Sequence, residues 1–326
     1  MPGETSIQTS LTQLLDIKHP ILLAPMAGIA DGELAAAVSA AGGLGILGGG
    51  YGDRDWLEAE LAHLSGKPFA IGFITWSLAN QPALLDVALA AGPHAIMLSF
   101  GDLAPFVEKI KAADCLLIAQ VQTLAQARQV ADQGADVIVA QGTEAGGHGA
   151  SRATLPLVPA LVDAVDPLPV VAAGGISDGR GLAAALMLGA AGVLMGSRFY
   201  VTEESGAHPV AKAAALAADG DRTLRSSVFD ELRGLDWPQP YTLRSLRNDM
   251  TENWHGNREA LEAVLPAERA RLQAAIEAGD FRLAPLILGE GVDLITDSPP
   301  AGVLVERLVA GARAQLERHA GRVASP

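Results

Sequence analysis

VVAAGGISDGRGLAAALMLGAAGVLMGSRF, residues 170–199, holds one complete structural unit and the start of the next. An apolar run meets a glycine pair, Asp178 opens a helical stretch, and a second apolar run ends in GSRF. Apolar runs without alternation suit strands covered on both faces, as in a parallel sheet with helical crossovers. The same unit recurs along the chain. Strand candidates are ILLAP (21–25), GLGIL (43–47), FAIGFIT (69–75), HAIMLSF (94–100), CLLIAQV (115–121), DVIVAQ (136–141), PVVAAG (169–174) and GVLMG (192–196). Helical stretches between them, such as DGELAAAVSAAGG and TLAQARQVADQG, open on Asp or Thr and close on Gly. Most units are roughly 20–25 residues long, the size of a compact strand–helix repeat. Eight of them favour an α/β chain folded as a (β/α)8 TIM barrel. An open doubly wound sheet is the alternative, because periodicity does not report closure.

One interval is too long. Between the sixth and seventh strands lies QGTEAGGHGA (141–150), with four glycines and His148. Loops after the strand C-termini build the active site of such barrels, so length has been added where chemistry occurs. Gly174 and Gly175 follow the seventh strand and Gly196 follows the eighth, where backbone N–H groups can cradle a phosphate. The competing reading is that these glycines only permit tight turns. Neither a dinucleotide fingerprint nor a P-loop is present, which leaves a mononucleotide cofactor or a phosphorylated substrate. His148 has no second histidine at metal-ligand spacing, so no metal is expected. Pro25 and Met26 close the first strand; the Met26 thioether suits either a planar ring or ordinary packing. His19, His63, His94, His208, His255 and His319 share no loop with the glycine sites and read as structural.

The chain has 326 residues, 49% of them apolar, and a net charge of −14. That charge argues against nucleic acid or an anionic membrane surface as partner, since both need a positive field. Cys115 is the only cysteine, so no internal disulfide forms, and the composition suits a reducing cytoplasm. The N-terminal stretch carries no secretory pattern, and no uninterrupted apolar span reaches membrane-crossing length. After residue 200 the rhythm changes. Residues 1–204 and 291–326 are assigned to the barrel, with a closing helix from about 299 to 320. Residues 205–290 are assigned to a helical insertion or cap containing REALEAVLPAERARLQAAIEAG. Trp237 and Trp254 in that segment are either a pocket wall or cap packing. An acidic surface and an insertion are both compatible with a homodimer.

HPILLAPMAG, QGTEAGGHGA, the 170–199 stretch and GEGVDLITDSPPAGVLVERL resemble the nitronate monooxygenase family, formerly called 2-nitropropane dioxygenases. The resemblance spans residues 19–204 and returns near 289–310. It implies a (β/α)8 barrel with non-covalent FMN. By that likeness Ala24, Pro25 and Met26 lie against the flavin ring, and Gln141 and Gly146 also contact the cofactor. Gly174, Gly175, Met195, Gly196 and Ser197 would hold its phosphate. His148 matches the family histidine that acts near the flavin, as base towards a neutral nitroalkane or as a group orienting the nitronate. The implied reaction is oxidation of alkyl nitronates by O2 to a carbonyl compound and nitrite. Two positions depart from the pattern: Gly72 stands where many relatives have asparagine, and Gln120 where some have lysine.

Other functions stay open on sequence alone. The flavin could serve an NAD(P)H-dependent reductase, similar to an NADH:quinone reductase or an enoyl-[acyl carrier protein] reductase. A phosphate-binding lyase or isomerase would use His148 as a base without flavin. A nucleotide-sequestering protein would need no catalysis at all.

Overall fold

The computed structural model describes residues 6–64, 66 and 68–323. Residues 1–5, on which part of the secretion argument rests, and 324–326, the end of the assigned barrel, lie outside the described residues.

Eight parallel strands form one sheet: β1 (Ile21–Leu23), β2 (Gly45–Gly48), β3 (Phe69–Ile74), β4 (Ala95–Ser99), β5 (Leu116–Val121), β6 (Val137–Gln141), β8 (Val170–Ala173) and β9 (Gly192–Met195). Their order is β1-β9-β8-β6-β5-β4-β3-β2. The two ends meet through a parallel bridge, Leu22 to Leu44, with Leu23 N–H donating to the Leu44 carbonyl at 3.0 Å. Closure makes the sheet a (β/α)8 barrel, with every strand buried on both faces, as the unbroken apolar runs require. Leu22, Ile46, Ala70, Met97, Ile118, Val139, Val171 and Leu194 fill the interior, while alternate residues pack against the helices.

Small residues set the helix-to-strand distance. A Cβ on Gly45 would lie 2.5 Å from the Ala35 carbonyl carbon and 2.8 Å from the Ala35 Cα, so the Gly32–Ala40 helix sits directly on β2. The helix Ala301–Val323 closes the outer ring, and its Gly311–Ala312 backbone approaches Gly179 at the start of the Gly179–Met187 helix.

Two short elements depart from the periodic pattern. Inside the long interval, Gly147–Gly149 forms β7, which belongs to a second, three-stranded sheet. Its partners are β11 (Thr242–Leu246) and β10 (Thr223–Ser226), so the 205–290 segment is not helical throughout. These strands carry TLRS twice, at 223–226 and 242–245, and the two copies pair antiparallel with Arg225 opposite Arg244. Strands this short and polar have no apolar signature; they exist because each supplies hydrogen-bond partners to the other and to the glycine-rich loop. The rest of 205–290 includes the helices Pro209–Leu216, Val228–Arg233, Asp249–Trp254 and Arg258–Ala278. No helix among the described residues is long and apolar enough to cross a membrane.

Gly45→Ala is expected to lower stability by about 2–3 kcal/mol, since the clash is with backbone that cannot rotate away. A denaturant midpoint unchanged from the parent would contradict this packing.

Candidate active site

A cavity of about 440 Å³ opens at the C-terminal ends of the barrel strands. That is within the range of small-molecule sites, roughly 300–1,000 Å³. All eleven residues singled out from sequence line it: Ala24, Pro25, Met26, Gln141, Gly146, His148, Gly174, Gly175, Met195, Gly196 and Ser197.

One end is built from backbone. Gly174 and Gly175 have φ of +109° and +72°, a conformation that side chains resist. The N–H groups of Gly175, Ile176, Ser177, Gly196 and Ser197 have no protein acceptor among the described residues, whereas Gly174 N–H continues the ladder towards Leu194. Five donors at two neighbouring strand ends form a cradle for an anion. The Ser197 hydroxyl accepts from Gly289 N–H at 2.9 Å, which leaves its own proton to donate. Beside the cradle, Met26 Sδ lies 3.4 Å from where a Cβ on Gly196 would stand. A Cβ on Gly72 would lie 2.5 Å from Pro25 Cγ. Pro25 therefore occupies the space that an asparagine at 72 would need. Gln120 also lines the cavity and brings no charge to it.

The 142–149 loop is held from outside the barrel. Arg225 on β10 donates to the carbonyls of Thr143, Ala145, Gly147, Gly149 and Thr242 at 2.7–3.3 Å. Arg244 donates to the Thr143 carbonyl at 2.9 Å and pairs with Glu290 at 2.8 Å. Burial, and next the Arg244 charge, pull the Arg225 guanidinium down to about 10, with Glu290 and Glu144 acting the other way. The loop glycines serve this clamp. A Cβ on Gly149 would stand 2.8 Å from Arg225 Nη2, and one on Gly146 would stand 2.7 Å from the Leu288 carbonyl carbon. Glu144 accepts from Thr154 N–H and Oγ1–H, pinning the loop to the next helix.

His148 is 9% exposed and fixed on several sides. Its backbone pairs with Leu243 on β11, and its carbonyl accepts from Gln141 Nε2 at 2.9 Å. Gln141 in turn accepts from Gln122 Nε2 at 2.8 Å, so its amide is engaged by protein at both ends. His148 Nε2 faces both carboxylate oxygens of Asp230, at 2.9 and 3.0 Å. The Trp237 indole stacks on the imidazole, 3.4 Å between centroids and 8° between planes. Around them stand Tyr51, Trp76, Phe100 and Tyr241, edge-on or tilted, with Trp237 Nε1–H donating to the Tyr51 hydroxyl at 3.0 Å. The chain has only 4 Trp and 3 Tyr, and two of each are in this one wall.

Asp230, Arg225 and Arg244 were not foreseen. The repeated TLRS was the available signal for the arginines; nothing local distinguishes Asp230 in VFDELR. Trp237 lines the cavity, whereas Trp254 packs in the 205–290 segment with its Nε1 on Glu268. His208, read as structural, also lines the cavity, at the N-cap of the Pro209–Leu216 helix and beside Phe281.

A (β/α)8 barrel that gathers an imidazole and an anion cradle at the C-terminal mouth of its strands is built as an enzyme. Known proteins narrow the class. The family model described as nitronate monooxygenase matches residues 8–83 and 74–311, and the chain belongs to that family of oxidoreductases. The nitronate monooxygenase of Neurospora crassa is 31% identical over 367 residues, 97% of this chain and 96% of that one. A 5-hydroxy-7a-methyl-1-oxo-octahydro-1H-indene-4-carboxyl-CoA dehydrogenase of Mycobacterium tuberculosis is 30% identical over 95% of this chain and 98% of its own. The solved structure of FabK from Thermotoga maritima superposes with a TM-score of 0.84 at 30% identity, covering 97% of this chain and 100% of that one.

Burial pulls the His148 imidazole below its ordinary 6.5; the Asp230 hydrogen bond and charge oppose this, and Arg233 and Arg225 add to it. The folded state therefore binds fewer protons than the unfolded chain just below 6.5. Stability is full above that value and falls as the pH drops towards the folded midpoint. A His148 ring titration centred below 6.5 is expected by NMR; a midpoint above it would reverse the sign. Arg225→Lys, which loses the planar fork, is expected to cost about 2–3 kcal/mol and to broaden the 143–149 amide resonances.

Proposed function

We propose that the chain is an FMN-dependent nitronate monooxygenase that converts alkyl nitronates and O2 to a carbonyl compound and nitrite. The observation that carries this is the cradle: five backbone donors without protein acceptors among the described residues, in a largely apolar cavity that a buried imidazole also lines. A phosphate-tailed planar cofactor fits that division. Gly174, Gly175, Gly196 and Ser197 would hold the phosphate, with Met195 beneath it. Ala24, Pro25, Met26 and Gly146 would bound the ring, with Gln141 at its edge. When bound, FMN supplies the electron acceptor for the nitronate carbon and the path of those electrons to O2.

The chain's own groups do the rest. His148 holds the nitro group or removes the proton beside it, and a neutral imidazole suits both tasks near pH 7. Tyr51, Phe100 and Trp237 exclude water from the carbon and form an apolar wall for the alkyl portion. Residues 205–290, with the three-stranded sheet at their root, act as the cap that carries Trp237 and Asp230.

A second reading has its own support. Several aromatic side chains gather beside His148, which suits a ring-bearing guest, and the M. tuberculosis relative is named as a dehydrogenase. An NAD(P)H-dependent reductase acting on a ring-bearing acceptor would use the same cradle and the same histidine.

The purified protein is expected to show flavin absorbance bands, lost on removing FMN and restored by adding it. Anaerobic alkyl nitronate is expected to bleach them within the mixing time of a stopped-flow experiment. Bleaching by NADH or NADPH and not by nitronate would select the reductase; a colourless protein that takes up no FMN would exclude both.

A further inference from the structure

His148 is constrained beyond what placing a loop residue requires. Its main chain is a rung of the β7–β11 ladder, its carbonyl is held by Gln141, and its ring is covered by Trp237. Asp230 is 4% exposed, and among the described residues its carboxylate oxygens meet only His148 Nε2. The other ring nitrogen differs. Nδ1 meets no protein partner among the described residues and is not one of the buried polar atoms left without one. It is open to the cavity that His148 lines.

A carboxylate can only accept, so this pairing needs the proton on Nε2. In the neutral ring the lone pair then belongs to Nδ1. Turning the ring about its Cβ–Cγ bond would sweep it through the indole at 3.4 Å and leave Asp230 facing carbon. Ring orientation and proton position are thus set together, by Asp230 and Trp237.

We propose that Asp230 is a positioning residue: it selects the His148 tautomer whose Nδ1 lone pair points into the cavity as the proton acceptor. The substrate part of this rests on the nitronate monooxygenase reading; the tautomer part does not. With a neutral nitroalkane, Nδ1 takes the proton from the carbon bearing the nitro group. The C–H electron pair becomes the C=N bond, the nitro oxygens take the negative charge, and the product is the nitronate. The imidazole becomes imidazolium, with Asp230 opposite the new positive charge. The other charged groups acting on the ring are Arg233 on the Asp230 helix and Arg225 on β10, both of which oppose that charge. Asp230 offsets them.

This function comes from outside the barrel. Asp230 lies in the Val228–Arg233 helix, 82 residues beyond the histidine it directs. The barrel presents the imidazole, and the inserted segment decides which nitrogen reacts.

Two measurements on the protein as purified test the proposal. Long-range ¹H–¹⁵N correlation with labelled histidine, assigned by the signal missing in His148→Asn, reads the tautomer above pH 7. The expected spectrum has Nε2 protonated and Nδ1 bare, and Asp230→Asn redistributes the proton. The second compares kcat/KM for nitroethane with that for preformed ethyl nitronate, which needs no proton removal. In Asp230→Asn the ratio of neutral to anionic substrate is expected to fall about 10²-fold, with partial recovery in Asp230→Glu. A merely structural role would lower both substrates together and leave the ratio unchanged. A wild-type spectrum with the proton on Nδ1, or an unchanged ratio in Asp230→Asn, overturns the proposal. If the wild-type protein does not oxidise nitronate at all, the nitronate reading fails, and the tautomer measurement alone decides the role of Asp230.

Discussion

A guanidinium that pairs with no carboxylate among the described residues organises this active site. Arg225 faces Arg244 across an antiparallel pair, an arrangement that repels unless the surroundings answer it. They answer with carbonyl dipoles. The glycine-rich loop turns its oxygens towards Arg225, and Glu290 takes up the charge of Arg244. Charge-assisted hydrogen bonds contribute about 1.5–3 kcal/mol each in favourable cases, enough to fix a loop whose glycines would otherwise cost entropy. The clamp holds both ends of β7, and with them the backbone of His148.

The barrel contributes a second constraint, the near absence of side chains where backbones must meet. Gly45 lets a helix rest on β2, and Gly179 lets the C-terminal helix close the ring. The same economy at Gly174 and Gly196 has a different result. There the missing Cβ atoms let the 142–145 loop settle on Gly174 and leave backbone lining the cavity. One residue type thus serves packing on the outside of the barrel and the lining of the cavity at its end.

The eight barrel strands were legible because burial on both faces forces continuous apolar runs, and those survive in sequence. The cavity-lining positions were legible because glycines after strands have few uses. What sequence did not reveal are features made by pairing. TLRS at 223–226 and 242–245 is too short and too polar to announce a strand; the copies are held by pairing with each other and, for the second, with β7. The insertion was expected to be helical for that reason, and its root is a sheet. Asp230 carries no local mark, since an aspartate in the first turn of a helix is ordinarily a solvated residue favoured by the helix dipole. Its meaning exists only once the chain brings it within 2.9 Å of an imidazole. The glycines of QGTEAGGHGA serve packing as well: Gly146 and Gly149 make room for Leu288 and Arg225.

The partner of the imidazole and the indole that covers it belong to one stretch, Asp230 to Trp237. The residues that shape the substrate wall and the residue that faces the histidine are therefore inherited together. A rearrangement of this stretch changes what fits and how protons move in one step, while the strands and the anion cradle stay as they are. For a lineage, that couples selectivity to reactivity and concentrates diversification in a few residues of one inserted stretch. For an engineer, it makes the stretch a module to exchange whole, since altering the wall alone would leave an imidazole set for a different guest.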